Sequence, residues 1–266
     1  MAEFFPRRAD GPGLALFLNA GDPPLDQLTD VALMLDESGV DCLELAVPFP
    51  DSVTDGPVIR RSAARALARG TGLDDVLSFV SGVRGRLRNL RIVLLADWSY
   101  TVRPLREPAF LLKVADSGAD ALLVHALPPV LRTDYLKAAE RAAVPVVTTC
   151  YANSRDEVIG DAALATAYTY LVATYGRSGT VAAHGYAGLS DVVSRLRARA
   201  SAPIAVGFGV RSAADLAAVA ATGADAAVVG SAAVARLEQA TAQQRDVTDT
   251  LSRFIGELRS DSTSTR

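Results

Sequence analysis

The strongest constraint in this sequence is a rhythm. Eight short apolar runs, LALFL (14–18), DCLELA (41–46), RIVLLA (91–96), DALLVH (120–125), PVVTTC (145–150), YTYLVA (168–173), PIAVGF (203–208) and DAAVVG (225–230), recur along the chain. Between them lie longer stretches such as LDQLTDVALMLDESG, PAFLLKVADSGA, RTDYLKAAERAA and SAADLAAVAATGA, with apolar residues three and four apart. That spacing gives a helix one buried face. The short runs are apolar enough to be buried on both faces, as in parallel strands covered by helices. Three of the helical stretches end in SGVD, SGAD or TGAD, where Gly suits a helix C-cap. Eight strand–helix units in 266 residues predict the α/β class and a closed (β/α)8 TIM barrel, a fold of ~250 residues. An open doubly wound sheet would carry a glycine-rich fingerprint after its first strand, and LFLNAGDPP has none. No low-complexity linker divides the chain, so one domain is expected over 1–258, with the polar end at 259–266 left disordered.

Composition narrows the function classes. A net charge of −3 leaves no electrostatic footprint for nucleic acid or an anionic membrane. No apolar run approaches the ~18 residues of a membrane span, and MAEFFPRRADGPG lacks the apolar core of a secretion signal. Cys42 and Cys150 are too few and too far apart for a disulfide framework, so a reduced cytoplasm is the expected compartment. His125 and His184 stand at no metal-ligand spacing to the carboxylates and cysteines, so no metal is expected. The two lysines, Lys113 and Lys137, fall in helical stretches, which removes a strand-borne Schiff-base lysine. Carbon–carbon bond chemistry, if this chain performs it, would run on protons alone.

Barrel chemistry sits at strand C-terminal ends. In the second strand, alternation puts Cys42, Glu44 and Ala46 on one side and Leu43, Leu45 and Val47 on the other. The bulky aliphatic set suits packing on helices, which sends Glu44 into the barrel mouth. A carboxylate there loses water, rises in pKa and can exchange protons near neutral pH; a buried Glu satisfied by an interior Arg or water is the plainer reading. The loop VPFPDSVTDGP adds Asp55. A loop acid is often only a turn residue, but two acids flanking one pocket provide separate environments for acid and base work. At the other end of the chain, Gly207, Phe208 and Gly209 follow strand seven, with Ser212 and Asp215 placed as a capping box. Gly230 and Ser231 follow strand eight. Glycines and unpaired helix N–H groups let backbone approach an anion, and these loops are where barrels often hold phosphate. Tight turns without a ligand would carry the same residues.

With NAGDPPLDQ, LELAVPFPDSVTDGPVIRRSAARALARGT, YTYLVA, GFGVRSAADL and GADAAVVGSA in this order, the sequence resembles the tryptophan synthase alpha subunit family from about Leu14 to about Arg253. The resemblance implies a (β/α)8 barrel that cleaves indole-3-glycerol phosphate by retro-aldol into indole and glyceraldehyde 3-phosphate, using no cofactor. It implies that Glu44 is the general acid/base acting at indole C3 and the glycerol hydroxyl, and that Asp55 holds the indole N–H. Phe17, Leu95 and Tyr170 match pocket positions around the indole. Gly179, Phe208, Gly209, Gly230 and Ser231 match the phosphate-binding shell.

The chain also departs from the family. ADWSY puts Asp97 and Ser99 where a Tyr-x-Asn-type segment is usual, HALPP puts His125 and Ala126 where Asp-Leu/Val-Pro is common, and Thr149 replaces an apolar pocket residue. PFPDSVTDGP stands for PFSDPLADGP, the strand-six loop reads ATYGRSGTVAAHG, and the N-terminal helix looks truncated. Asp97 and His125 end neighbouring strands, where an ion pair or a rebuilt substrate pocket is expected. Several altered loops form the family's contact with its beta partner, so the expectation is a lyase that works without a beta subunit. An aldolase or lyase for another phosphorylated substrate, using His125, and a weakly catalytic partner-binding subunit are the alternatives.

Overall fold

The computed structural model describes residues 4–6, 11–173, 186, 188–207 and 209–260. The first half of the barrel comprises β1 (Gly13–Asn19), α1 (Leu25–Glu37), β2 (Cys42–Ala46), α2 (Pro57–Ala68), α3 (Leu73–Arg84) and β3 (Arg91–Asp97). A short α4 (Arg103–Leu105), α5 (Glu107–Ser117), β4 (Ala121–His125) and α6 (Arg132–Arg141) follow. The second half comprises β5 (Thr148–Tyr151), α7 (Asp156–Ala162), β6 (Thr169–Val172), α8 (Leu189–Arg197) and β7 (Ile204–Gly207). It ends with α9 (Ala213–Ala221), β8 (Ala226–Val229), α10 (Ser231–Ala242) and α11 (Val247–Ser260).

All strand pairs are parallel, in the order β4-β3-β2-β1-β8-β7-β6-β5. The ring closes between β4 and β5 at one bridge, Leu122 with Val146. There Leu122 N donates to Pro145 O and Val147 N to Leu122 O, both at 2.9 Å. β5 starts three residues later than the expected run at 145. Pro145 has no N–H to give a ladder, and Val146 N donates instead to Thr166 Oγ1 at 2.8 Å.

Alternation sorts the strand residues into two cores. Leu14, Leu16, Leu43, Leu45, Ile92 and Leu94 face the helices, while Ala15, Cys42, Val93, Leu123, Tyr168 and Val228 fill the barrel interior. Small residues on one strand meet Tyr168 on another, so the narrow interior is filled without a pore. Its closed end is stoppered by Phe5, 2% exposed. The Phe5 ring meets Tyr168 edge-on at 5.2 Å, with Phe4 at 5.7 Å from the same tyrosine. Among the described residues none before β1 is helical.

The SGVD, SGAD and TGAD segments do more than end helices. Gly39, Gly118 and Gly223 take φ of 69°, 78° and 83°, a region open to glycine at little cost. The aspartate two residues later then turns its side chain onto the first amides of a neighbouring strand. Asp41 accepts from Leu14 N (2.8 Å), Asp120 from Ile92 N (2.8 Å) and Asp225 from Ile204 N (2.7 Å). Charge-assisted bonds of this kind pin strand register at the N-terminal ends of the strands. At the mouth, α2 and α10 are tied by ion pairs. Glu238 accepts from Arg61 and Arg65 at 2.7 Å, and Arg65 also bonds Asp22 at 2.7 Å. The final helix runs past the expected boundary at 258. Arg259 donates to Ser38 O and Gly39 O, at 3.1 and 2.6 Å, which fastens it to the end of α1. Residues 261–266 lie outside the described residues.

Candidate functional site

A cavity of about 340 Å³ opens at the C-terminal ends of the strands, large enough for a small-molecule ligand. β2 delivers Glu44 to it. Because Leu43 and Leu45 pack outward in the helix-facing core, Glu44 must point inward. The parallel register sets it between Phe17 of β1 and Val93 of β3. It is 2% exposed. Burial holds its carboxyl at about 7, up from 4.5, although the Tyr168 hydroxyl donates to Oε1 at 2.5 Å and favours the charged form. No lysine, arginine or histidine forms an ion pair with it among the described residues. The interior arginine of the plainer reading is therefore not what satisfies Glu44.

Asp55 reaches the same cavity from the loop after β2, just before Gly56 and Pro57 start α2. Proline at the first helical position ends the loop without leaving an N–H unpaired. Phe17, Leu95, Thr149 and Tyr170 line the cavity together with Val58, Ile59 and Leu123. Gly207 makes room for Tyr170: a Cβ there would come within 2.4 Å of the tyrosine hydroxyl.

Across the barrel, Gly209, Gly230 and Ser231 line the cavity with Val210, Arg211 and Ala232. Gly209 has φ 90°, in the left-handed region. The two adjacent helix starts differ. The first turn of α9 is served by its own residues, with Ser212 Oγ accepting from Asp215 N and Asp215 Oδ2 accepting from Arg211 N, at 3.3 and 3.1 Å. α10 has Gly230 at its N-cap position and no side-chain cap, and Gly230, Ser231 and Ala232 at this start lie on the cavity wall. Unpaired N–H groups at a helix start attract an anion. Gly179 and Phe208, expected in the same shell, lie outside the described residues, as does His184.

Asp97 is corrected. It pairs in register with His125 across β3 and β4, yet the two form no ion pair. Asp97 is 4% exposed and turned to its own backbone, accepting from Ser99 N and Tyr100 N at 2.8 and 3.0 Å. It caps the π-helical turn Trp98–Val102 and does not line the cavity. A short acceptor two and three residues from free amides outcompetes a partner on the next strand. His125 does line the cavity, and its Nε2 lies 3.2 Å from Thr54 Oγ1.

The sequence reading missed Tyr168, Tyr151 and Arg211. Tyr168 was findable, since it sits two residues before Tyr170 and shares its face. Arg211 gave no signal, because its place depends on how the turn after β7 is folded.

The barrel fold agrees with the comparisons with known proteins. The tryptophan synthase alpha chain family matches residues 7–263. The tryptophan synthase alpha chain of Burkholderia pseudomallei is 35% identical over 248 residues, covering 93% of this chain and 90% of the relative. That of Synechococcus elongatus is 35% identical over 225 residues, covering 84% and 83%. Among solved structures, a mutant tryptophan synthase alpha subunit from Pyrococcus furiosus superimposes with a TM-score of 0.81 at 28% identity, covering 92% and 97%. Mycobacterium tuberculosis tryptophan synthase superimposes with 0.81 at 27% identity, covering 94% and 92%. The chain belongs to the tryptophan synthase alpha chain family.

Proposed function

We propose that this chain is a carbon–carbon lyase that cleaves indole-3-glycerol phosphate into indole and glyceraldehyde 3-phosphate. The observation that carries the reading is a buried carboxyl, Glu44, lining the same cavity as Asp55 and the uncapped start of α10. The phosphate lies against the first amides of α10 and the backbone of Gly209, with Arg211 adding charge. The indole lies among Phe17, Leu95 and Tyr170.

Glu44 enters the reaction protonated and gives its proton to indole C3. The ring becomes a cation with its charge on nitrogen, and Asp55 accepts a hydrogen bond from that N–H. Glu44, now a carboxylate, takes the proton of the glycerol hydroxyl next to the ring. The C–C bond breaks, its electron pair restores the C2–C3 double bond, and the hydroxyl carbon leaves as the aldehyde. The proton given to C3 stays as its hydrogen, so the chemical balance needs no other group. One carboxyl can play both parts because its pKa lies near neutrality.

Incubating the purified protein with indole-3-glycerol phosphate and assaying indole tests this. Glu44→Gln keeps the shape and removes the proton, and its kcat falls by ~1,000-fold or more. Undiminished indole release by that variant refutes the role.

We further read the cleavage as complete within this chain, without a beta subunit, because both acids and the anion site belong to it. A second reading has its own support: Val53, Tyr100 and Val130 stand exposed on the loops after β2, β3 and β4, as a docking rim would. A tight complex with a tryptophan synthase beta subunit and strongly raised turnover decides for the second reading, and unchanged turnover for the first.

A further inference from the structure

One contact in the cavity wall has no part in the proton chemistry. His125, at the end of β4, grips the loop after β2 at both of its ends. At the loop's root its ring stacks on Phe49, centroids 6.0 Å apart and planes at 29°. Phe49 also stacks on Tyr100 of the loop after β3, at 5.8 Å and 27°. At the far end, the residue before Asp55 completes the grip: the Thr54 hydroxyl and His125 Nε2 share a hydrogen bond of 3.2 Å. Ser52 Oγ adds a longer contact to Thr54 at 3.4 Å. Between the two grips Ser52 is buried, while its neighbours are less constrained. Val53 is 79% exposed, and Asp51 has φ 57°. An imidazole suits the place because it offers a flat face to one end and a ring nitrogen to the other.

We infer that His125 is a positioning residue, which staples the β2–α2 loop so that Asp55 is held in the cavity by this chain's own side chains. The inference rests on reading Asp55 as the acceptor of the indole N–H. Fixing both ends of a short loop removes most of its conformations in advance. Displacing a reacting group by ~1 Å costs on the order of 100-fold in rate.

Hydrogen exchange of the amides at 51–56 and steady-state kinetics with indole-3-glycerol phosphate test it together. The proteins are wild type, Thr54→Val, His125→Ala, the double variant and His125→Gln. Thr54→Val and His125→Ala are expected to speed exchange in the loop by about 10-fold or more and to lower kcat by ~10–100-fold. KM stays within about threefold, because the phosphate end is untouched. The double variant is no slower than the worse single one, as for two halves of one contact. His125→Gln, which restores a polar group near Nε2, recovers part of kcat. Unchanged exchange overturns the inference. Additive losses overturn it too, as does a raised KM at unchanged kcat, which makes the pair a substrate contact. If wild type releases no indole, the proposed function fails, and the exchange measurement still decides the staple.

Discussion

Tyr168 donates its hydroxyl to Glu44 Oε1 across 2.5 Å, from the layer of side chains beneath the cavity. Burial alone would drive the glutamic acid far from its ordinary range, and this bond pulls it partway back, leaving it at about 7. The acidity of Glu44 is thus the outcome of two opposed effects, each from an identified source.

Removing the bond tests that balance. In Tyr168→Phe the charged form of Glu44 loses its donor, so its pKa rises further. A hydrogen bond to an ionised group contributes ~1.5–3 kcal/mol, so the Glu44 ionisation in the kcat/KM profile moves up by ~1–2 pH units. A profile that does not move shows that the hydroxyl has no hold on the acid.

The same carboxyl imposes a stability cost with a definite pH window. Below pH 4.5 it is protonated folded and unfolded, and no cost arises. Between 4.5 and about 7 the unfolded chain releases the proton while the fold retains it, so stability falls as pH rises. The full loss above that window is about 3 kcal/mol, order of magnitude. Glu44→Gln abolishes this contribution. Urea denaturation at pH 5 and pH 8 should show the variant gaining on wild type by about that amount at the higher pH.

Gly207 and Gly230 respond differently to an added methyl. Gly207→Ala drives a Cβ to within 2.4 Å of the Tyr170 hydroxyl, so the ring must leave its place in the cavity. The expected result is a loss of ~1–3 kcal/mol of stability and a fall in kcat/KM. At Gly230 the nearest atom is Phe17 Cβ at 3.6 Å, an ordinary contact. Gly230→Ala therefore keeps its melting temperature, and a rise in KM there reports on anion approach to the backbone.

Glu238 works in the opposite direction from Glu44. Hydrogen bonds from Arg61 hold its carboxyl at about 2, down from 4.5, with Arg65 adding to the effect against a raising influence of burial. Its contribution is present above pH 4.5 and is lost as pH falls toward 2. Because the Arg61 side chain is 54% exposed, screening keeps the contribution to no more than about 1 kcal/mol. Glu238→Gln should lower the melting temperature by no more than ~2–4 °C at pH 7 and low salt, and by less in ~1 M NaCl.

The fold was legible because its signal is distributed. Each strand repeats the same alternation, and the observed strands fall within one residue of the expected runs except at β5, where Pro145 and the Thr166 side chain break the pattern. The inward course of Glu44 was legible for the same reason, from the aliphatic Leu43 and Leu45 on either side of it. Contacts across the barrel were not. Tyr168 meets Glu44 over 124 positions of sequence, and no local pattern reports such a distance. Asp97 misled because its strand register with His125 is real, while its preference for amides two and three residues ahead depends on a turn that sequence spacing does not reveal. The three Gly-x-Asp segments were half legible: their glycines followed from helix termination, but the strand amides that their aspartates hold belong to another part of the chain.

The stopper at the closed end has a consequence for catalysis. Phe5 and Phe4 pack against Tyr168 from below, so the hydrogen bond that tempers the proton affinity of Glu44 is anchored from the side opposite the cavity. Substitutions around the entrance can thus reshape the opening while that anchor stays in place.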